Sequence, residues 1–158
     1  MQALKNRTAH LIGMFLCTQA LVATPASAQN YYFDYDSDAG LTPSGANIVN
    51  WDLLSPHWQT TASPGTNTPG TFGDGESAFF RTGGINRLDV NGAVEVANIA
   101  QSVAGTTTFI GGTGTLTVVG DTIENASSGV LQFERGLTLA LQSTARDWFA
   151  TGGEIIVN

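Results

Sequence analysis

From Leu88 to Val157 the chain is a ladder of short apolar runs: Leu88-Val90, Val94-Ile99, Thr107-Ile110, Thr115-Val119, Val130-Phe133, Leu137-Leu141 and Glu154-Val157, separated by glycine, asparagine and serine. Within several runs the apolar side chains alternate. Leu88 and Val90 flank Asp89, Val94 and Val96 flank Glu95, and Leu137, Leu139 and Leu141 alternate with Thr138 and Ala140. Period two means one buried face per strand. The runs recur about every ten residues, so their connections are too short for crossover helices. Two all-β architectures fit this spacing: an antiparallel β-sandwich joined by hairpins, and a parallel β-helix in which each coil takes two or three runs. Strong two-residue hairpin signals are few, which favours the β-helix. Asn91-Gly92 is a fair one, whereas Gly120-Asp121 and Gly152-Gly153 serve equally as corners of a coil.

The segment from Gln29 to Phe80 has a different texture. Pro43, Pro56, Pro64 and Pro69 sit in it among many glycines, and each proline removes a ladder donor, so regular strands are expected to be sparse. Aromatic residues punctuate it at Tyr31, Tyr32, Phe33, Tyr35, Trp51, Trp58, Phe72, Phe79 and Phe80. They are expected to form a satellite core closing the end of the strand stack, because a repetitive stack must be capped to be soluble. The competing reading makes Trp51 and Trp58 a stacking platform for sugar rings.

Residues 1–28 read as a secretory signal peptide. Lys5 and Arg7 precede the uncharged, largely apolar run Leu11-Val22, and Ala26-Ser27-Ala28 offers a small-x-small cleavage site. The run is short for a membrane anchor, and no later stretch is long enough for a transmembrane helix. Cleavage near Ala28 removes Cys17, the only cysteine, so the exported fold must rest on packing and backbone ladders without disulfides. It also removes Lys5 and Arg7, leaving four arginines against thirteen acidic residues, a formal charge of −9. Such a surface repels phosphate backbones, which argues against nucleic-acid binding. The chain thus divides into a signal peptide (1–28), an aromatic, Pro/Gly-rich cap (29–80) and a strand ladder (81–158).

Several stretches carry a family resemblance: Asp34 near the mature start, Trp51-Asp52, Trp58, Gly73-Asp74-Gly75-Glu76-Ser77-Ala78-Phe79, and Val90-Asn91-Gly92-Ala93-Val94-Glu95-Val96-Ala97-Asn98-Ile99. Together they resemble the opening of bacterial autotransporter passenger domains with autotransporter-associated β-strand repeats. Gly112-Thr113-Gly114-Thr115-Leu116-Thr117-Val118-Val119-Gly120 resembles the repeat core of that family. The resemblance implies a right-handed parallel β-helix, displayed at the cell surface after passage through a carboxy-terminal outer-membrane barrel, and often adhesin-like. After Gly120 the family's tyrosine-glycine-threonine turn is replaced by Asp121-Thr122-Ile123-Glu124-Asn125. A barrel needs at least eight strands, which cannot fit in this chain, so it reads as an amino-terminal fragment or as a protein exported by another route. Ending at Ile155-Ile156-Val157, the ladder is expected to present an apolar edge through which copies self-associate.

Candidate chemistry is sparse. Asp34, Asp36 and Asp38 place three carboxylates at alternate positions, a set of hard oxygen ligands suited to calcium, but Ala39 and Gly45 stand where an EF-hand wants glycine and glutamate. Gly111-Gly112-Thr113-Gly114-Thr115-Leu116 begins like a calcium-binding nonapeptide coil, yet Leu116 replaces its aspartate ligand. His57 is the one histidine of the mature chain. Nothing places Asp52 behind it, and Gly75-Glu76-Ser77-Ala78-Phe79 lacks the second glycine of a nucleophile elbow. The carboxylates Asp89, Glu95, Asp121, Glu124, Glu134 and Asp147 scatter along the ladder as a solvated surface would carry them. The sequence therefore predicts a secreted or surface-displayed, non-catalytic β-helix segment, structural or adhesin-like, partnering an extracellular glycan or surface protein. Its alternatives are a carbohydrate-binding module built on Trp51 and Trp58, and a polysaccharide-degrading enzyme.

Overall fold

The computed structural model describes residues 28–36, 40–62, 69–142 and 147–158. The segment 1–27, with nearly all of the expected signal peptide, lies outside them. Thirteen strands are formed and no helix occurs among the described residues. They are β1 (Asn30–Phe33), β2 (Val49–Asn50), β3 (Trp58–Gln59), β4 (Glu76–Phe80), β5 (Gly84–Val90), β6 (Ala93–Gln101) and β7 (Thr106–Gly112), followed by β8 (Thr115–Val118), β9 (Thr122–Asn125), β10 (Val130–Phe133), β11 (Thr138–Leu141), β12 (Asp147–Ala150) and β13 (Glu154–Val157).

The strands stack as a β-solenoid of about three turns. One sheet runs β2-β5-β7-β10-β13, and the other carries β1-β4-β6 and then splits into β8-β11 and β9-β12. Every pairing between coils is parallel; β3 alone lies antiparallel, against β1 at the aromatic end, where Trp58 also bridges Gly70. The antiparallel sandwich is thereby excluded. The reason is that equivalent strands are separated by a whole coil: Leu131 lies beside Thr108 on one side and Ile155 on the other. Pairing also reaches back into the Pro/Gly-rich segment, where β1 and β2 supply the first rung of each sheet.

Alternation turns this register into internal stacks. Val49, Leu88, Ile110, Phe133 and Val157 follow one another up one wall, and Ala78, Ile99, Ile123 and Trp148 up the other. Most of these side chains are buried, and each can be buried only by the coil above and the coil below. Near the amino-terminal end Phe33, Trp51, Trp58, Phe72 and Phe80 fill the bore with edge-on and tilted ring contacts 4.8–6.0 Å apart, and they belong to the same continuous core.

Most polar side chains inside the bore bond along the stack, although Gln101 Oε1 has no partner among the described residues. The Asn125 amide donates to the carbonyls of Gly129 and Glu154, at 2.9 and 2.8 Å. Its oxygen accepts from Gln101 Nε2 at 3.1 Å and from the Ser127 amide at 3.1 Å. Thr82, Asn86 and Thr108 form a second buried chain, Thr82 Oγ1 donating to Asn86 Oδ1 and Asn86 Nδ2 to Thr108 Oγ1. These bonds tie successive coils together where an apolar side chain would only fill space.

Corners need residues without a side chain because backbones of adjacent coils nearly touch there. A Cβ on Gly129 would stand 1.9 Å from the Thr106 carbonyl oxygen, and one on Gly153 1.9 Å from that of Gly129. Gly129→Ala and Gly153→Ala should each lose about 1–3 kcal/mol of stability through forced backbone shifts. Gly92→Ala, whose Cβ would meet nothing within 4 Å, should be nearly neutral. Urea unfolding of the three variants makes the comparison, and equal stability of all three would contradict the stacked corners.

Candidate functional site

Trp51 and Trp58 do not form a platform for sugars. They are 0% and 1% exposed, with their rings 5.1 Å apart and pressed against Phe72 and Phe80. The sugar-stacking expectation fails because a ring face that packs in the core has none left for a ligand. Among the described residues neither indole N–H finds an acceptor, so dense aromatic packing offsets a desolvation cost of about 1–3 kcal/mol per group.

Of the three aspartates, Asp34 and Asp36 belong to the described residues. Asp34 is fully buried, its carboxylate accepting from the Thr42 amide at 3.0 Å and from Gln59 Nε2 at 2.9 Å. It ties Thr42 back to β1. Asp36 is half-buried and Asp38 lies outside the described residues. No three His, Cys, Asp or Glu side chains converge elsewhere among the described residues.

His57 and Asp52 face different partners. The imidazole stacks on Tyr35 with a centroid distance of 6.0 Å, and Nδ1 lies 3.2 Å from the Tyr35 carbonyl oxygen. The Asp52 carboxylate caps its own turn, accepting from the amides of Leu54 at 2.8 Å and Ser55 at 2.6 Å. Partial desolvation raises the Asp52 pKa, but those bonds, a further one from the Ser55 side chain and the nearby His57 charge outweigh it, so the net shift is downward. On the second sheet, Glu134 Oε2 and Asp89 Oδ1 come within 2.8 and 3.3 Å of the position a Gly111 Cβ would take, so the two oxygens are no more than 6.1 Å apart.

A shallow concavity of about 320 Å³ lies on the outer face of the first sheet. It follows a bend in the strands. Matching positions of β4 and β6, Glu76 with Val96 and Ala78 with Ile99, enclose Ser77 on one strand and Ala97-Asn98 on the other, so β6 carries a bulge. One coil on, residues 119–122 separate Val118 from Ile123, which match Val96 and Ile99. Residues 142–147 separate Leu141 from Trp148 in the last coil. From β4 to β6 to the coil of β8 and β9 the residues between the matched positions thus increase, and what begins as the single strand β4 ends as the pair β11 and β12.

Two outward columns line this cavity. The first is polar: Asn30 pairs with Ser77, Asn98 Nδ2 donates to Ser77 Oγ at 3.1 Å, and Asn98 Oδ1 accepts from the Thr122 amide at 3.1 Å. Gly120 makes room for this chain, since a Cβ there would meet Asn98 Oδ1 at 2.7 Å. The second column runs Tyr32, Phe79, Ala100, Glu124 and Phe149 in register. Tyr32 and Phe79 pack at a tilt with centroids 5.4 Å apart, and the Arg81 guanidinium sits 6.0 Å from the Tyr32 ring centre. Ser77 and Ala100, 3% and 7% exposed, form a recessed floor between Phe79 and Glu124.

The sequence reading took Tyr32 and Phe79 only as cap aromatics and Glu124 only as a solvated carboxylate, and it gave Ala100 and Thr122 no role. The signal was the outward half of the same alternation, but which outward residues become neighbours depends on coil length, which composition does not give. No family model, curated protein or solved structure matches the chain.

Burial divides the tryptophans. Trp148 is 36% exposed, so acrylamide should quench it while Trp51 and Trp58 stay shielded. In Trp148→Phe the readily quenched fraction of emission should vanish; strong quenching of that variant would contradict the buried aromatic end.

Proposed function

We propose that this chain is a segment of a secreted or surface-displayed, non-catalytic β-solenoid that serves as a structural or adhesin-like passenger. The observation that carries the reading is the register of the repeat-like motifs. Ala93, Val94, Glu95 and Val96 pair one for one with Thr115, Leu116, Thr117 and Val118, and these with Thr138, Leu139, Ala140 and Leu141. The stretches that resemble autotransporter-associated repeats are therefore equivalent positions of consecutive coils, as a repeat unit must be. A solenoid of this kind offers long outer faces and a rigid rise of roughly 4.8 Å per coil, which suits display over distance.

The last coil supports the same reading. Trp148, Phe149 and Val157 are 36%, 39% and 56% exposed, and Leu137, Leu139, Leu141 and Ile155 are only half-buried against the core. Among the described residues, strands β11, β12 and β13 each have a partner on one side alone. Such an edge accepts a further rung or a second copy of the chain.

Export is the property that tests this reading. Expressed with its own amino terminus in a Gram-negative host, the chain should leave the cytoplasm and lose its first residues, and amino-terminal sequencing of the product should begin near Gln29. Retention of Met1 in a cytoplasmic product would contradict the reading.

A further inference from the structure

We infer that the cavity along the bend of the first sheet is a binding groove for a neutral oligosaccharide laid across successive coils. This rests on the reading of the solenoid as a display scaffold and gives that scaffold a ligand.

The groove has the complement of groups that a sugar chain needs. Its polar column offers amides and hydroxyls at the repeat of the coils, roughly 4.8 Å, close to the length of one pyranose unit in an extended chain. Asn98 spends one N–H on Ser77 Oγ and one lone pair on the Thr122 amide. An amide has two donors and an oxygen with two lone pairs, so Asn98 keeps one donor and one lone pair to offer outward while its side chain is held rigid. Glu124, one coil on and beside the floor, can accept from both hydroxyls of a vicinal diol, since a carboxylate has two acceptor oxygens.

The apolar part fits as well. Phe79 walls the groove and is flanked by the tilted ring of Tyr32, its partner on the adjacent strand, at 5.4 Å, so its position is fixed at small entropic cost. An aromatic wall beside a polar floor matches the two aspects of a pyranose, an apolar face of C–H groups and an equatorial rim of hydroxyls. Ala100 is the residue that opens the site: it stands between Phe79 and Glu124 in the register, and any longer outward side chain would fill the space between them. Charge selects the class of sugar. The lining residues include one charged side chain, the carboxylate of Glu124, and the chain from Gln29 onward, with four arginines against thirteen acidic residues, carries a formal charge of −9; an anionic polysaccharide would be repelled.

The test is isothermal titration of the full chain with cellohexaose, mannohexaose, maltohexaose and chitohexaose, with hexagalacturonate as the anionic control. Saturable binding of at least one neutral hexasaccharide at millimolar concentration or below is expected. Ala100→Leu, which adds bulk only on the outer face, and Phe79→Ala should each weaken it roughly tenfold or more, about 1.4 kcal/mol, and Glu124→Gln should weaken it less. Thermal melts establish that Ala100→Leu remains folded, and Trp51→Phe, altered inside the core, should bind as the parent does. The inference is overturned if none of the neutral sugars binds, if hexagalacturonate binds more tightly than all of them, or if binding survives both Ala100→Leu and Phe79→Ala. A chain that is exported and processed near Gln29 but fails this titration keeps its reading as a passenger and loses only the groove.

Discussion

Parallel pairing between one coil and the next is the interaction on which this structure depends. A single coil of a solenoid has an inner face too small to enclose itself, so each inward Leu, Ile, Val or Phe is buried by equivalents in adjacent coils. The backbone bonds that hold coils together also set the register that brings Leu88 under Ile110 and Ile110 under Phe133. Packing and hydrogen bonding are therefore one cooperative unit, with no disulfide available to the described residues as a substitute. Where neighbours are missing, burial fails: the side chains of the last coil that pack on the core do so half-exposed.

The two ends of the stack handle this constraint differently. At the amino-terminal end of the described stack, large aromatic rings fill the bore, and the antiparallel strand β3 lies along β1. The polar positions at the corners are the second solution to the same problem. Gln101, Asn125 and Ser127 are buried but bind carbonyls and each other across coils, so the turns, where backbone groups cannot all pair in ladders, still find partners. Gln101 Oε1 alone of that group lacks one among the described residues. The lengthening bend adds a third element: it opens the outer face into a concavity without disturbing the inward stack, because the added residues fall between Val118 and Ile123 rather than within either strand.

Much of the ladder was legible in the sequence. The seven apolar runs from Leu88 onward all fall on strands or their ends, and the glycines marked as corners do stand where coils approach. The strand β9 was harder to see because its inward residue Asn125 is polar; inside a solenoid corner such a residue is bonded to adjacent coils and costs little, but an alternation of apolar residues cannot announce it. Strands β1, β2 and β4 were obscured by the prolines and glycines around them, which interrupt the loops between rungs and spare the rungs. The tryptophans show the limit from the other side. An aromatic residue near proline and glycine looks alike whether it faces solvent or core, and only the packing of Trp51 on Trp58 decides. The groove residues come from strands more than twenty positions apart, so a small side chain such as Ala100 gains meaning only after the register is known.

Nuclear Overhauser effects between coils test the central claim most directly. In uniformly labelled protein, Leu116 should show contacts to both Val94 and Leu139, and Ile123 to both Ile99 and Trp148, as the middle members of parallel stacks. Contacts from either residue to one neighbouring strand only, or a set in which the residue numbers of the two strands run in opposite directions, would contradict the stacked solenoid.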